Sequence, residues 1–367
     1  MRRSAMTLAW CVAAAAGVML AGGCGSAADT KARPSQGEQT KLIDTYKEHT
    51  DAVLALAINP LDPNEFISGG RDKSPERDRP LLRVWDFAAG KQSYAINYLL
   101  CDPIALSYSS DGRYLIVCMD NVFDKFEGVV RFVARVQIWD ARRGRMIKNF
   151  DRGQFVEPWA CTFAPDGRHF TVAGMGSKNI EIFTMDADVD KIAHQRLLLG
   201  HLSFINGTSW APDSIRMASA SMDGTVKIWD TANLVTPCLK TLAGHTHSVN
   251  TVAWSPDSSF IASGSSDKTV KIWDVNTGIA KQTCAGHGEA ITAVVISPDS
   301  RLVFSASIDR TIKVWEASTG TCLQTLTGHD GPIEALAISS DGKVLLSGSQ
   351  DKTIKSWSVG KYAKATK

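Results

Sequence analysis

Apolar and polar positions alternate in short runs along most of this chain. In Ser248–Trp254 they alternate as in a strand buried on one face. Ser255–Ser258 reads as a turn, Phe260–Gly264 as a second strand, and Asp267 with Lys268 as another turn. Thr269–Trp273 then predicts a third strand, and Ala280–Cys284 an outer one. Asp111 with Gly112, Asp166 with Gly167 and Asp341 with Gly342 hold the first of these turns elsewhere, where glycine permits positive φ.

This four-strand unit repeats. In the pair Gly244-His245 the histidine precedes Trp273, of Trp273-Asp274, by 28 residues, and His201–Trp229, His287–Trp315 and His329–Trp357 keep that spacing. The steps from Trp229 to Trp357 are 44, 42 and 42 residues. Three earlier units are degraded. His49 leads to Trp85 and Asp86 over a longer interval, Trp139 and Asp140 close a second unit with Leu100 in place of histidine, and a third ends at Ile182 and Phe183. The total is seven.

A period of about 40–45 residues with Gly-His and Trp-Asp marks resembles the WD40 family, in which each repeat forms one four-stranded blade. The resemblance covers about residues 40–360 and is most specific in the last four repeats. It implies an all-β, seven-bladed propeller. The last repeat stops after its third strand, so Leu42–Tyr46 is expected to supply the missing outer strand, closing the ring and removing an exposed edge.

Histidine, serine, aspartate and tryptophan recur as four-residue sets that imitate a catalytic constellation. They are His49, Ser68, Asp72, Trp85; His201, Ser219, Asp223, Trp229; His245, Ser263, Asp267, Trp273; His287, Ser305, Asp309, Trp315; and His329, Ser347, Asp351, Trp357. An active site is not repeated five times around a ring. In WD40 proteins such a set is a buried hydrogen-bond network whose atoms satisfy one another. Repeat two has Leu100 and Ile116 at the His and Ser positions and keeps Asp120 and Trp139. Repeat three has Ser177 for aspartate and Phe183 for tryptophan. These two blades are expected to rely on apolar packing and to be the softest.

The resemblance also implies a binding face, which carries the loops between blades and the turns between second and third strands. Three positions per repeat point there: three and five residues after the histidine, and the one before the aspartate. By register they are Ala52, Leu54, Arg71; Pro103, Ala105, Met119; Glu157, Trp159, Gly176; and Phe204, Asn206, Met222. The last three repeats give Ser248, Asn250, Ser266; Ala290, Thr292, Ile308; and Pro332, Glu334, Gln350. Large apolar groups fall in consecutive blades as Met119, Trp159, Phe204 and Met222, and such groups anchor interfaces. Residues 74–80 and 121–130 are insertions at second-to-third-strand turns on the same face; the second carries Phe123 and Phe126. The candidate partner-binding set is therefore Arg71, Met119, Phe123, Phe126, Glu157, Trp159, Phe204 and Met222. Its rival is a structural role at the channel mouth.

Composition narrows the function. The formal net charge is +2, from 40 basic and 38 acidic residues. Without Arg2 and Arg3 it is about 0, and no basic run tracks a phosphate backbone, so nucleic acid is not the expected partner. Histidines 169, 194 and 247 lack metal-ligand spacing, and no phosphate loop, GxSxG or HExxH motif occurs. No cofactor or metal is expected.

The N-terminus differs from the rest. Arg2 and Arg3 precede an apolar stretch, Met6–Ala21, too short to span a bilayer comfortably and ending in small residues. This describes an export signal. Leu20–Cys24 resembles the lipobox of bacterial lipoproteins, which implies cleavage before Cys24 and a diacylglycerol on its sulfur. The spacing departs from that pattern, with Leu20 four residues before the cysteine rather than three. Cleavage near Ala28 and an uncleaved signal anchor are the alternatives. The expected organisation is a signal over 1–23, a flexible tether over 24–39, the propeller over 40–360 and a tail over 361–367. Besides Cys11 and Cys24 there are six cysteines, with no CxxC pair. Cys161 stands where Val252 does and Cys284 where Leu242 does, so both read as core. Cys101 and Cys118 could form a disulfide in blade two in an oxidising compartment, with two buried thiols as the alternative.

The expectation is a monomeric, non-catalytic scaffold, lipid-anchored in a bacterial envelope or secreted, that holds a protein or peptide on one face. The alternatives are an enzyme using the channel mouth, for which Arg71, Glu157 and Glu334 are the available groups, and a small-molecule or glycan sensor using Trp159.

Overall fold

In the computed structural model, residues 40–73, 80–96, 102–126, 129–153, 158–174, 178–186 and 191–359 are described, except for the side chains of 72–73, 80–81, 120–126, 129–135 and 151–153. The leader, the tether, Cys24 and residues 361–367 lie outside this set.

Seven antiparallel four-stranded sheets make up the propeller. The closing strand is the one expected. Lys41–Tyr46 pairs with Ile354–Ser358, the third strand of blade seven, with Tyr46 opposite Ile354. Tyr46 is buried against Phe66 and Trp85 of blade one, so this strand ties blade seven to blade one. The insertion in repeat two is not a loop: its strands, Tyr114–Phe126 and Val129–Asp140, stay paired out to Phe126 opposite Val129.

The four regular networks share one geometry. In blade seven His329 Nδ1 lies 2.7 Å from Asp351 Oδ2, and Nε2 lies 2.7 Å from Ser347 Oγ. The indole N–H of Trp357 donates to the same Ser347 oxygen at 2.9 Å. A neutral imidazole protonated on Nδ1 satisfies all three contacts: it donates to Asp351, accepts from Ser347, and leaves the serine oxygen to accept from Trp357. Asp351 also accepts the backbone N–H of Asp330 at 3.0 Å. Blades four, five and six repeat the arrangement. Blade one keeps His49, Ser68 and Trp85; the side chain of Asp72 lies outside the described residues. Replacing His329 by alanine is expected to cost about 1–3 kcal/mol, because Ser347 and Asp351 lose a buried partner. Equal denaturant midpoints for variant and parent would contradict this.

The pairs make the fold acid-sensitive. Burial holds His201, His245 and His287 below the usual imidazole value, although the aspartate partners pull the other way. Burial pushes the Asp223 carboxyl up, but the Thr225 hydroxyl, the Leu202 amide and His201 outweigh it and hold it at about 2. Asp267, Asp309 and Asp351 are likewise held low. Both groups act in the same direction. Below about pH 6.5 the unfolded histidines take up protons before the folded ones do, and below about pH 4 the aspartates do the same. Thermal midpoints are therefore expected to fall as pH drops from 7 to 5, and again below about 4. A midpoint that holds or rises over the first interval would exclude this account.

Blades two and three are built differently, as their sequences imply. In blade two Val117 occupies the serine position, one residue beyond the Ile116 expected. The indole of Trp139 donates instead to Gln137 Oε1 at 3.1 Å, and Gln137 is buried. Gln137 stands where the regular blades carry Lys227, Lys271, Lys313 and Lys355. In blade three Phe183 takes the tryptophan's place and stacks on Phe170 at 5.0 Å. Cys118 is a free, buried thiol, and Cys101, named as its possible partner, lies outside the described residues. The neighbour of Cys118 is Cys161 of the next blade, and burial together with that contact pushes the Cys118 thiol up.

Candidate functional site

Because the strands within a blade are antiparallel, the start of each inner strand, the end of the second and the start of the third lie at one end of the ring. Every inner strand begins with a β-bulge there, where one residue on the inner strand has no opposite number on the second. The bulged residues are Leu54, Ile104, Trp159, Asn206, Asn250, Thr292 and Glu334. They surround the mouth of the channel.

Six of the seven are positions named from the sequence; the seventh corrects one. In blade two the bulge falls on Ile104 rather than Ala105. A one-residue offset turns a strand side chain to the opposite face. Met119 accordingly is not a rim residue. It is fully buried, stands where Ser221 stands in blade four, and packs among Ile67, Leu82 and Trp139. The rim position of blade two is Asp120, whose side chain lies outside the described residues. The missing histidine of repeat two removed the mark from which the register is counted. Among the other candidates, Glu157 and the side chains of Phe123 and Phe126 lie outside the described residues. Arg71 is half-buried, and its backbone N–H donates to Ala52 O at 3.0 Å.

The mouth divides into two arcs. On one, polar bulge residues bind blade to blade. The Asn206 amide donates to Val249 O at 2.9 Å, Asn250 to Ile291 O at 2.8 Å, and the Thr292 hydroxyl to Ile333 O at 2.5 Å. On the other, Leu54, Ile104 and Trp159 are apolar. Trp159 is 36% exposed although it sits at the head of an inner strand. Phe204 and Met222 continue the apolar surface into blade four, both half-buried and joined through Met222 N–H donating to Phe204 O at 2.9 Å. Their positions in blade five are held by Ser248 and Ser266, which hydrogen-bond Asn250 Oδ1. Asn206 has no such donors, and its buried Oδ1 has no partner.

Two further apolar residues escaped the register count. Leu199 and Leu202 flank Gly200 and His201 and are 59% and 79% exposed. Leu202 stands where other blades carry Thr50, Thr246, Gly288 and Asp330, and that contrast was the available signal. An apolar depression of about 320 Å³ lies at the opposite end of blades one to three, lined by Ile58, Leu106, Tyr108, Phe163 and others, with no charged group. Among the described residues no group of three His, Cys, Asp or Glu side chains could hold a metal.

The family model for the WD domain, G-beta repeat, matches residues 40–74, 193–230, 236–274, 278–316 and 320–358, just over half of the chain. The chain belongs to the WD40 family. The matched segments include every network histidine and serine, and blade two and the first three strands of blade three fall in the unmatched stretch. Among curated WD40 relatives, apoptotic protease-activating factor 1 of Mus musculus is 24% identical over 150 residues, 41% of this chain and 12% of that protein. Pre-mRNA-processing factor 17 of Saccharomyces cerevisiae is 30% identical over 195 residues, 52% and 37% of the respective chains. The ribosome biogenesis protein WDR12 homolog of Nematostella vectensis is 29% identical over 218 residues, 54% and 49%. The chain thus spans at most about half the length of these relatives.

Proposed function

We propose that this WD40 propeller is a non-catalytic platform that holds a protein or peptide on the channel-mouth face of blades one to four. The observation that carries this reading is the apolar arc of Leu54, Ile104, Trp159, Phe204 and Leu202, set beside an arc whose equivalent positions are spent on bonds between blades. Apolar anchors at a solvent-facing rim supply most of the energy of an interface. The relatives' names speak of protease activation, pre-mRNA processing and ribosome biogenesis, three different tasks on one fold, in keeping with an interaction module. The leader supports a bacterial envelope location, with Cys24 as the lipid-bearing residue.

Affinity capture from envelope extracts with the soluble region from about residue 30, parent against Trp159→Ala, tests the platform. A partner retained by the parent and lost by the variant is the expected result; equal recovery removes Trp159 from the site. For the anchor, Cys24→Ala is expected to move the protein from the membrane to the soluble fraction.

A further inference from the structure

The two arcs of the mouth differ in their carbonyl oxygens as well as their side chains. In blades five, six and seven the carbonyl of the residue before the bulge accepts a side-chain hydrogen from the preceding blade: Val249 from Asn206, Ile291 from Asn250, Ile333 from Thr292. The equivalent carbonyls of blades one, two and three belong to Val53, Pro103 and Pro158. The side chains standing one blade earlier are Glu334, Leu54 and Ile104. A carboxylate and two hydrocarbons have no hydrogen to give. Three successive carbonyl oxygens therefore lack the donor that the other arc supplies. At the blade-seven end of this row stands the Glu334 carboxylate, which accepts from the Gln350 amide at 2.5 Å. No ion pair reaches Glu334 among the described residues.

We infer that this arc of the mouth receives the side chain of a partner's arginine or lysine. Its charged head would meet Glu334 and the carbonyls of Val53, Pro103 and Pro158, and its methylene stem would lie along Leu54 and Ile104. The chemistry is specific to such a group. It brings several N–H donors and no acceptor, it carries the charge that Glu334 lacks opposite it, and its apolar stem needs an apolar wall. A hydroxyl ligand brings one donor and an amide two, and neither brings a charge to match the carboxylate. An acidic ligand would meet only acceptors. This inference rests on the mouth-face reading above and names the chemistry of the anchor.

The test uses calorimetric or NMR titration of the protein with N-acetyl-arginine methylamide and N-acetyl-lysine methylamide, each against its neutral counterpart, citrulline or norleucine. Saturable binding is expected for the charged probes, at least tenfold tighter than for the neutral ones. Two variants report on separate parts of the site. Glu334→Gln removes the charge and offers an amide to Val53 O. Leu54→Asn installs at blade one the donor that Asn206 carries, and so fills Pro103 O. Each is expected to weaken the charged probes at least tenfold with the thermal midpoint retained. Charged and neutral probes binding alike, no saturable binding, or both variants binding as the parent does would overturn the inference. A captured partner that depends on Trp159 but on neither Glu334 nor Leu54 would also overturn it while leaving the platform standing. Charge-dependent probe binding with no captured protein would do the reverse.

Discussion

Replacing Trp357 by alanine is expected to lower the stability of the propeller by about 3–5 kcal/mol, the range for truncating a large buried aromatic. The side chain is 3% exposed and packs among Leu302, Phe304, Val314, Leu345 and Val359, which belong to blades six and seven. Its indole donates to Ser347, which also binds His329, so truncation opens a cavity and takes one member from a buried polar network. Trp357 also stands opposite Leu42 on the strand that closes the ring. The loss therefore falls at the seam between the two ends of the propeller, where no covalent connection holds the blade together. Denaturant unfolding of parent and variant measures it. A loss below about 1 kcal/mol would mean that the closing blade is held mainly by its backbone ladder.

Replacing Trp159 by alanine is expected to do the opposite: leave stability within about 0.5 kcal/mol, as for a surface substitution, and weaken partner binding by about 2 kcal/mol or more, a factor of about 30. The two tryptophans differ only in placement. Trp357 faces the interior between sheets and donates to a buried serine. Trp159 is the extra residue of a bulge, turned toward the channel mouth and 36% exposed. Binding measured by titration, alongside a thermal melt, separates the two effects. A large fall in the melting midpoint with unchanged affinity would make Trp159 a packing residue.

The regular half of the molecule was legible because it repeats its marks. In blades four to seven histidine, serine, aspartate and tryptophan keep fixed intervals, and the structure joins each set by bonds of 2.7–2.9 Å. Blades two and three were both legible as blades, and blade three kept its inner-strand register at Trp159, but blade two did not. With histidine absent, nothing in blade two fixed the start of the inner strand, and the count slipped by one. That single residue moved Met119 from the core to the rim, hid Ile104, and put Ile116 where Val117 belongs. Gln137 was missed because it serves the indole from the third strand, a position that elsewhere carries lysine. Leu202 was missed because exposure of a loop residue depends on what the neighbouring blade covers.

Sequence by itself determined the number of blades, the four-strand plan of each, the structural nature of the histidine sets and the strand that closes the ring. These follow from local periodicity, and periodicity survives the loss of individual residues. Only the tertiary structure decided what happens between blades: that Cys118 meets Cys161, that Asn206, Asn250 and Thr292 bind the next blade, and that Glu334, Leu54 and Ile104 stand where those donors do without a hydrogen to give. The contacts of Cys118, Asn206, Asn250 and Thr292 join residues 41 to 43 positions apart in the chain. They depend on strand register to the single residue, because one step along a strand exchanges the buried face for the exposed one.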